Sequence, residues 1–266
     1  MGFALGAAPG PGAVVSAVRR AADTLAIVIV LLLMWQALHH AVGETALPGP
    51  LPTLSYLGRL VTTARFAENA VATAGAFAVA LMLAYGIGLA LGVWMGAHRL
   101  SGAVGEPILV ALYSLPKITL YPVILLVFGL GISGKMAFGA LHGILPVALL
   151  TMAAIRNISP VYLKTAHSMK LSKWQTVTTV LFPATLPEVV SGLRIGLTVT
   201  LLGVLLAEMF ASKQGLGFLI MNAMTLLQTE EMIAIAILLF IFAAFANASL
   251  LWIEHRLYQR CDHEDI

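Results

Sequence analysis

Charged residues are scarce in this chain: they make up only 10% of its 266 residues, whereas hydrophobic residues make up 60%. Soluble domains carry about 25% charged residues, so this composition excludes a soluble globule. The mean hydropathy of +0.95 predicts a polytopic membrane protein instead. The formal net charge of +3 comes from cations in the segments between apolar runs. That distribution fits membrane orientation better than nucleic-acid binding, so we expect no nucleic-acid partner.

Cysteine and catalytic motifs are equally sparse. Cys261 is the single cysteine, which excludes an intrachain disulfide framework. No metal-spaced group of His and carboxylates and no credible nucleophile triad occurs in the sequence, which disfavours a membrane enzyme. Residues 129–136 approach a phosphate-binding loop, but Met136 replaces the hydroxyl residue that would hold magnesium, and no strand precedes the glycines. We expect no catalytic residue, metal or cofactor in this chain, and any ATP and Mg²⁺ would be bound by a separate polypeptide.

Long apolar runs predict an all-α membrane protein with about six transmembrane helices. They cover 24–41, 67–95, 106–129, 135–155, 187–211 and 232–253. Arg19 and Arg20 precede the first run after a loosely ordered start at 1–18, and without a clear cleavage site they predict a signal anchor rather than a cleaved signal peptide. Between the runs, 54–66 predicts an external interfacial helix, and 212–227 an external turn with a short helix.

Small residues and one histidine predict how these helices pack. Glycines recur at four-residue spacing in the second and fifth runs, at Gly88, Gly92 and Gly96 and at Gly192 and Gly196. Such stripes let helices approach closely in lipid. In the fourth run Pro146 predicts a kink. His142 has no carboxylate one turn away, so we expect a hydrogen-bonded packing residue rather than a proton relay.

The third run is interrupted by two prolines, Pro116 and Pro122, with Lys117 between them. Proline removes a backbone donor, and a lysine at membrane depth is costly unless it faces a polar cavity. We therefore hypothesise that this break lines a transport pathway; a structural kink with Lys117 at the interface is an equally open alternative. The candidate pathway residues are Ser114, Pro116, Lys117, Tyr121, Arg194 and Glu208, with snorkelling as the alternative for Arg194.

A short polar segment separates the fourth and fifth runs at residues 162–174. Its neighbouring cations, Arg156, Lys164, Lys170 and Lys173, place it on the cytoplasmic face by the positive-inside rule. We expect a helix over 164–174 that faces soluble partners. Contact with anionic lipid is the alternative, since each cation near the inner leaflet gains about 1 kcal/mol there.

From about residue 68 to 256 the chain resembles the permease subunit of bacterial binding-protein-dependent ABC importers, closest to the nitrate, sulfonate and taurine group. The family's cytoplasmic signature is Glu-Ala-Ala, three residues, Gly, nine residues, Ile, any residue, Leu-Pro. Here it begins at Lys164, has Lys170 at the glycine position and Val180 at the isoleucine position, and matches outright at Ala166 and Pro183. Further similar pieces follow in order at 116–122, 127–131, 172–175, 186–196, 207–209 and 215–221.

The resemblance implies a type I ABC importer permease fold in the bacterial inner membrane, with both termini cytoplasmic. It divides the chain into a cytoplasmic segment 1–20, a first helix and external segment 21–66, a permease core 67–257 with a coupling segment 156–185, and a tail 258–266. The residues it implies for ATPase coupling are Lys164, Thr165, Ala166, His167, Ser168, Met169, Lys170, Leu171, Ser172, Lys173, Trp174 and Pro183.

The resemblance also implies partners and a substrate class. The partners would be cytoplasmic ABC ATPase subunits, a second permease copy, an external solute-binding protein and membrane lipid. The solute would be a small anion such as a sulfonate, taurine or nitrate, and neutral or cationic heterocycles stay open as alternatives. An ATP-independent secondary transporter or channel stays open as the alternative, although the sequence has no internal repeat of the kind common in secondary transporters.

Overall fold

Residues 11–262 are described by a computed structural model, with side-chain surroundings for residues 22–256 except Leu163 and Lys173. The side chains of Arg19 and Arg20 and the ends of the predicted terminal segments lie outside this range. The helices are α1 Pro11–Val42, α2 Pro50–Leu60, α3 Ala64–Ala97, α4 Arg99–Ser114, α5 Tyr121–Phe128, α6 Ile132–Arg156, α7 Pro160–Ser168, α8 Lys173–Gln175, α9 Phe182–Ala211, α10 Leu216–Thr225 and α11 Thr229–Asp262. A 3₁₀ turn at Lys117–Leu120 precedes α5, and a π-helical segment at Thr176–Leu181 joins α8 to α9.

Five described helices are long and apolar enough to cross a membrane: α1, α3, α6, the helix over Thr176–Ala211, and α11. The third predicted span is not one kinked helix, because α4 and the helix that continues into α5 meet at 91°. Leu115 takes an extended conformation before Pro116, as residues before proline do. Pro122 lies in the first turn of α5, where no backbone donor is needed, so it begins a helix instead of interrupting one. Counting the bent pair as one span gives the expected six.

Helix α6 lies at the centre and packs against both α3 and α9. The predicted glycine stripe of α3 faces α6: a Cβ on Gly92 would lie 2.6 Å from the Cβ of Thr151, and one on Gly88 would lie 2.7 Å from the Cβ of Val147. Close packing through glycine, as predicted, is thus confirmed for α3. Gly143 of α6 likewise leaves no room for a Cβ, which would collide with Thr200 of α9 and Ala84 of α3.

Two boundary predictions were wrong for local reasons. The predicted loose segment overlaps α1, which already begins at Pro11. The interfacial helix runs over Pro50–Leu60 rather than 54–66, since proline starts α2 and Thr63 caps the next helix by accepting a hydrogen bond from the Phe66 amide at 3.2 Å. Helix α6 includes Pro146, and the kink predicted there stays a prediction.

Candidate functional site

The predicted coupling helix over 164–174 consists of two helices, so that prediction was wrong in its detail. Helix α7 ends at Ser168, and the next helix begins at Lys173. Between them Lys170 has φ +52°, in the left-handed region that ends a right-handed helix. We call residues 160–175 the elbow, because two helices meet there at a fixed turn.

The turn is a Schellman motif closed by two backbone hydrogen bonds. The Leu171 amide donates to the Ala166 carbonyl at 3.1 Å, and the Lys170 amide donates to the His167 carbonyl at 3.0 Å. Glycine usually occupies the left-handed position of this motif. A residue with a Cβ there costs about 1–2 kcal/mol. The left-handed backbone conformation therefore explains why the family signature has glycine at this position. Lys170 adopts the same conformation, although glycine would adopt it at lower cost.

The helix after the turn starts with a capping box. The Gln175 amide donates to Ser172 Oγ at 3.3 Å, while Gln175 Oε1 accepts from the Ser172 amide at 2.9 Å. The spacing Ser-x-x-Gln is the sequence signal for this motif, and our sequence analysis missed it. The two caps together fix both sides of the elbow.

Helix α8, the π-helical segment and α9 continue into one another from Lys173 to Ala211. The fifth span therefore begins well before the predicted residue 187. Pro183 lies in the first turn of α9, directly after the π-helical segment, and its side chain is exposed. The elbow is consequently attached to a helix that runs through the whole bundle.

Nearly every described side chain of the predicted coupling set is exposed. Ala166 is the exception at 2% exposure, and Leu171 is half-buried. Two large apolar side chains, Met169 and Trp174, are 66% and 75% exposed. The exposed polar members are Lys164, Thr165, His167, Ser168, Lys170 and Ser172. The side chain of Lys173 lies outside the described part.

Arg156, one of the four cations that neighbour this segment, is engaged within the bundle. Its guanidinium lies 2.6 Å from Glu106 Oε2 and donates to the Arg99 carbonyl at 3.4 Å. It also fills the space beside Gly102. Arg156 thus fastens the start of α4 to the end of α6.

Three predicted pathway residues lie at the bend between α4 and α5. Lys117 Nζ donates to the Tyr113 carbonyl at 3.0 Å and lies 4.5 Å from the centre of the Tyr113 ring. This cation caps the carbonyl end of α4, where positive charge is favourable. Ser114 and Pro116 are exposed beside it, and Ser114 Oγ donates to the Val110 carbonyl at 2.9 Å.

The remaining pathway candidates lie elsewhere. The Tyr121 hydroxyl is buried and donates to the Ala207 carbonyl at 2.8 Å. Arg194 pairs with Glu254 of α11 at 3.4 Å. Glu208 lies fourteen residues beyond Arg194, about 21 Å along the same helix. The six residues therefore do not form one site, and their roles in transport stay predictions.

Glu208 is fully buried, at 0% exposure, where three helices meet the start of α10. Its Oε2 accepts hydrogen bonds from Thr73 Oγ1 at 2.8 Å and from the Gly217 amide at 3.1 Å. Lys135 Nζ lies 3.6 Å from its Oε1 and also donates to the Gln214 carbonyl at 2.7 Å. A buried carboxylate is tolerable when paired and hydrogen-bonded in this way.

The same centre satisfies the backbone at the start of α10. Asn69 Oδ1 accepts from the Gly215 amide at 2.7 Å, and Thr73 Oγ1 accepts from the Leu216 amide at 2.7 Å. Gly215 has φ +121° and packs so closely on the Glu208 carboxylate that a Cβ would collide with it. Asn69 and Thr73 were not predicted from the sequence to belong to a functional site. Their spacing of one helical turn on α3 was the available signal.

A second buried carboxylate, Glu231, ties α2 and α3 to α11. The Tyr56 hydroxyl donates to it at 3.2 Å, and the Arg65 guanidinium lies 3.3 Å away. Burial, and after it the negative charge of Glu231, raises the pKa of the Tyr56 hydroxyl above its ordinary value. This cluster was also missed, because its members are distant in the sequence.

His142 has the packing role that was predicted for it. It is buried, its Nδ1 lies 2.9 Å from the Phe138 carbonyl, and its ring meets the Phe138 ring edge-on. A backbone carbonyl accepts from the ring nitrogen, so this nitrogen carries the proton.

Comparisons with known proteins place this geometry in context. Residues 87–263 match the family model described as "Binding-protein-dependent transport system inner membrane component". The putative aliphatic sulfonates transport permease protein SsuC of Bacillus subtilis is 25% identical, over 86% of this chain and 83% of that protein. The taurine transport system permease protein TauC of Escherichia coli is 30% identical, over 67% of this chain and 65% of its own length.

A solved structure shares the fold. The match is to a chain of the MetNI methionine ABC transporter in an inward-facing conformation, with a TM-score of 0.61 and 19% identity. It covers 70% of this chain and 93% of that chain. The fold predicted from the sequence, that of a type I importer permease, is thereby confirmed.

Proposed function

This chain belongs to the family of inner membrane components of binding-protein-dependent transport systems and is a permease subunit of an ABC importer, and we propose that a separate cytoplasmic ATPase drives it through the elbow. The family supports ATP-driven import over the ATP-independent transporter or channel. The resemblance to nitrate, sulfonate and taurine permeases is likewise confirmed.

The observation that carries the proposal is the exposure of the elbow. A nine-residue helix such as α7 is marginal in water by itself. Here it is held in a fixed shape by a Schellman motif and a capping box, while Met169 and Trp174 remain exposed. A rigid surface with exposed apolar side chains is suited to a protein partner.

The connections of the elbow explain how force could reach the pathway. It follows α6 directly and leads through a continuous helix into α9, and these two helices form the centre of the bundle. A displacement of α7 would therefore move α6 and α9 together. Import then requires two packings of the bundle, biased by an ATPase that binds one of them more tightly.

The substrate we propose is a small anion such as a sulfonate, taurine or nitrate. The bend between α4 and α5 carries Lys117, for which the described residues provide no carboxylate partner. Arg194 and Lys135, by contrast, are paired with Glu254 and Glu208. Relatives named for sulfonates and taurine support the same class.

The remaining partners follow from the family. We propose an external solute-binding protein that delivers the solute, a second permease copy that completes the pathway, and lipid around the apolar surface of α1. Both termini would lie in the cytoplasm with the elbow, and α10 would lie on the outer side.

The test is transport by the purified complex in lipid vesicles. The full-length permease is co-expressed with its ATPase and binding-protein partners, and uptake of radiolabelled taurine and nitrate is measured with and without ATP. We expect uptake only when ATPase and ATP are both present. Uptake by the permease without an ATPase would contradict the proposed function.

A matched pair of variants assigns the coupling role to the elbow. Met169→Glu places a charge on the exposed apolar surface of the elbow, whereas Leu226→Glu places one on an exposed leucine at the end of α10. We expect the first variant to lose the ATPase on purification and the second to retain it. Retention by both would refute coupling through the elbow.

A further inference from the structure

The elbow lies in the middle of a long stretch without acidic residues. No Asp or Glu occurs between Glu106 and Glu188. Lys164, Lys170 and Lys173 all lie within the sixteen residues of the elbow. His167 is also exposed in this part of the chain. The part of the chain that would face the ATPase therefore carries charge of a single sign.

The positive charge of the elbow is not neutralised by the described part of the chain. Arg156 and Arg194 are paired with Glu106 and Glu254. Within the same described side chains, neither Lys164 nor Lys170 has a carboxylate within ion-pair distance. Both lysines are exposed, so their charges remain available to a partner.

The backbone supplies a second, independent observation. Lys170 occupies the left-handed position of the Schellman motif, which glycine would fill at lower cost. A strained residue that persists at an exposed turn points to a use for its side chain. The two hydrogen bonds of the motif also fix the backbone position from which the Lys170 side chain extends.

We propose that the partner ATPase presents acidic side chains opposite Lys164 and Lys170, and that these charge pairs determine which ATPase the permease accepts. This inference rests on the proposed function and specifies the partner's surface. Complementary charge across an interface excludes wrong partners, because like charges that meet on binding are strongly unfavourable. An ATPase with a basic groove would therefore be rejected.

The shape of the elbow favours a protein over anionic lipid as the occupant. Attraction to a lipid surface needs only cations near the headgroups and no fixed geometry. The elbow instead presents its lysines from a capped, rigid turn together with exposed Met169 and Trp174. Rigid apolar and charged groups in one patch are typical of specific protein interfaces.

The experiment measures binding of the co-purified ATPase subunit to the full-length permease in detergent, at increasing salt. We expect Lys164→Glu together with Lys170→Glu to weaken binding by about a hundredfold, since close charge pairs become repulsive. Lys213→Glu, a charge reversal in the loop before α10, is the control and should leave the affinity unchanged. We also expect binding of the wild-type protein to weaken as salt rises.

The Lys170→Gly variant separates the effect of the lysine charge on ATPase binding from the effect of the left-handed backbone on folding. Because glycine suits the left-handed turn, this variant should fold at least as well as the wild type, yet bind the ATPase about tenfold more weakly. Charge reversal of an acidic residue in the ATPase groove should restore binding to the doubly reversed permease.

The possible failures are distinguishable. If no ATPase co-purifies with the wild-type permease, the proposed function fails. If an ATPase binds but its affinity does not change with salt or with the two lysine substitutions, only the inference of an acidic groove is overturned. Loss of binding to phosphatidylglycerol vesicles without any change in ATPase affinity would assign the lysines to lipid and would also overturn it.

Discussion

Glu208→Ala should be among the most damaging single substitutions in this protein. The change removes a carboxylate that accepts hydrogen bonds from Thr73 and the Gly217 amide, and it leaves the buried ammonium of Lys135 without its counter-ion. Breaking a buried ion pair by removing one partner costs about 3–5 kcal/mol. We therefore expect Glu208→Ala to lower the free energy of unfolding by about that amount.

A double-mutant cycle identifies the cause. Lys135→Met removes the other charge while keeping a long side chain, so Glu208→Ala combined with Lys135→Met should recover most of the loss. The double variant should still be less stable than the wild type by about 1–3 kcal/mol, because hydrogen-bonding groups at Thr73 and Gly217 are left unsatisfied.

The assay is reversible unfolding of the purified protein in mixed micelles, followed by circular dichroism. A cost below about 1 kcal/mol for Glu208→Ala would show that the carboxylate does not hold α10 to the bundle. Strictly additive effects of the two substitutions would refute the pairing with Lys135.

Four further predictions concern packing, the elbow and pH. Lys170→Gly should raise the free energy of unfolding by about 1 kcal/mol, measured in the same assay, because glycine suits the left-handed position. Gly92→Ala should lower it by about 1–3 kcal/mol because its Cβ would meet Thr151, whereas the control Gly86→Ala, which has open space beside it, should be neutral. Ala166→Glu should abolish co-purification of the ATPase without preventing membrane insertion, since a charged side chain cannot occupy this buried position. A raised pKa of Tyr56 favours its neutral form, so stability should fall as the pH rises through this pKa, above the ordinary value of 10.0, and Tyr56→Phe should abolish that loss.

The sequence predicted the helices and the glycine contacts because both depend on local pattern. Apolar runs report burial in lipid directly, and glycines at four-residue spacing define one helix face. The stripe that includes Gly92 could therefore be assigned to close packing before its partner on α6 was known.

The turn inside the elbow was not predicted, because the residue at its left-handed position is Lys170. Lysine is a good helix former, and nothing in its local sequence indicates a positive φ. Only the spacing of the family signature, which has glycine at this position, marked the place where the helix ends.

The Glu208 centre could not be assembled from the sequence. Its residues come from α3, α6, α9 and the loop before α10, and no periodicity connects them. Glu208 alone looked like a group that could line a pathway, whereas the structure gives it protein partners at both carboxylate oxygens. The direction in which an intramembrane charge points is decided by tertiary packing.

ATP-driven import by this permease depends most on contact between the elbow and a separate ATPase. Photo-cross-linking from a reactive amino acid placed at Met169, in the transport complex reconstituted in lipid vesicles, tests that contact directly. Coupling through the elbow predicts a cross-link to the ATPase from this position and none from the same amino acid placed at Leu226. Cross-links from position 169 to lipid alone, while ATP-driven uptake continues, would contradict it.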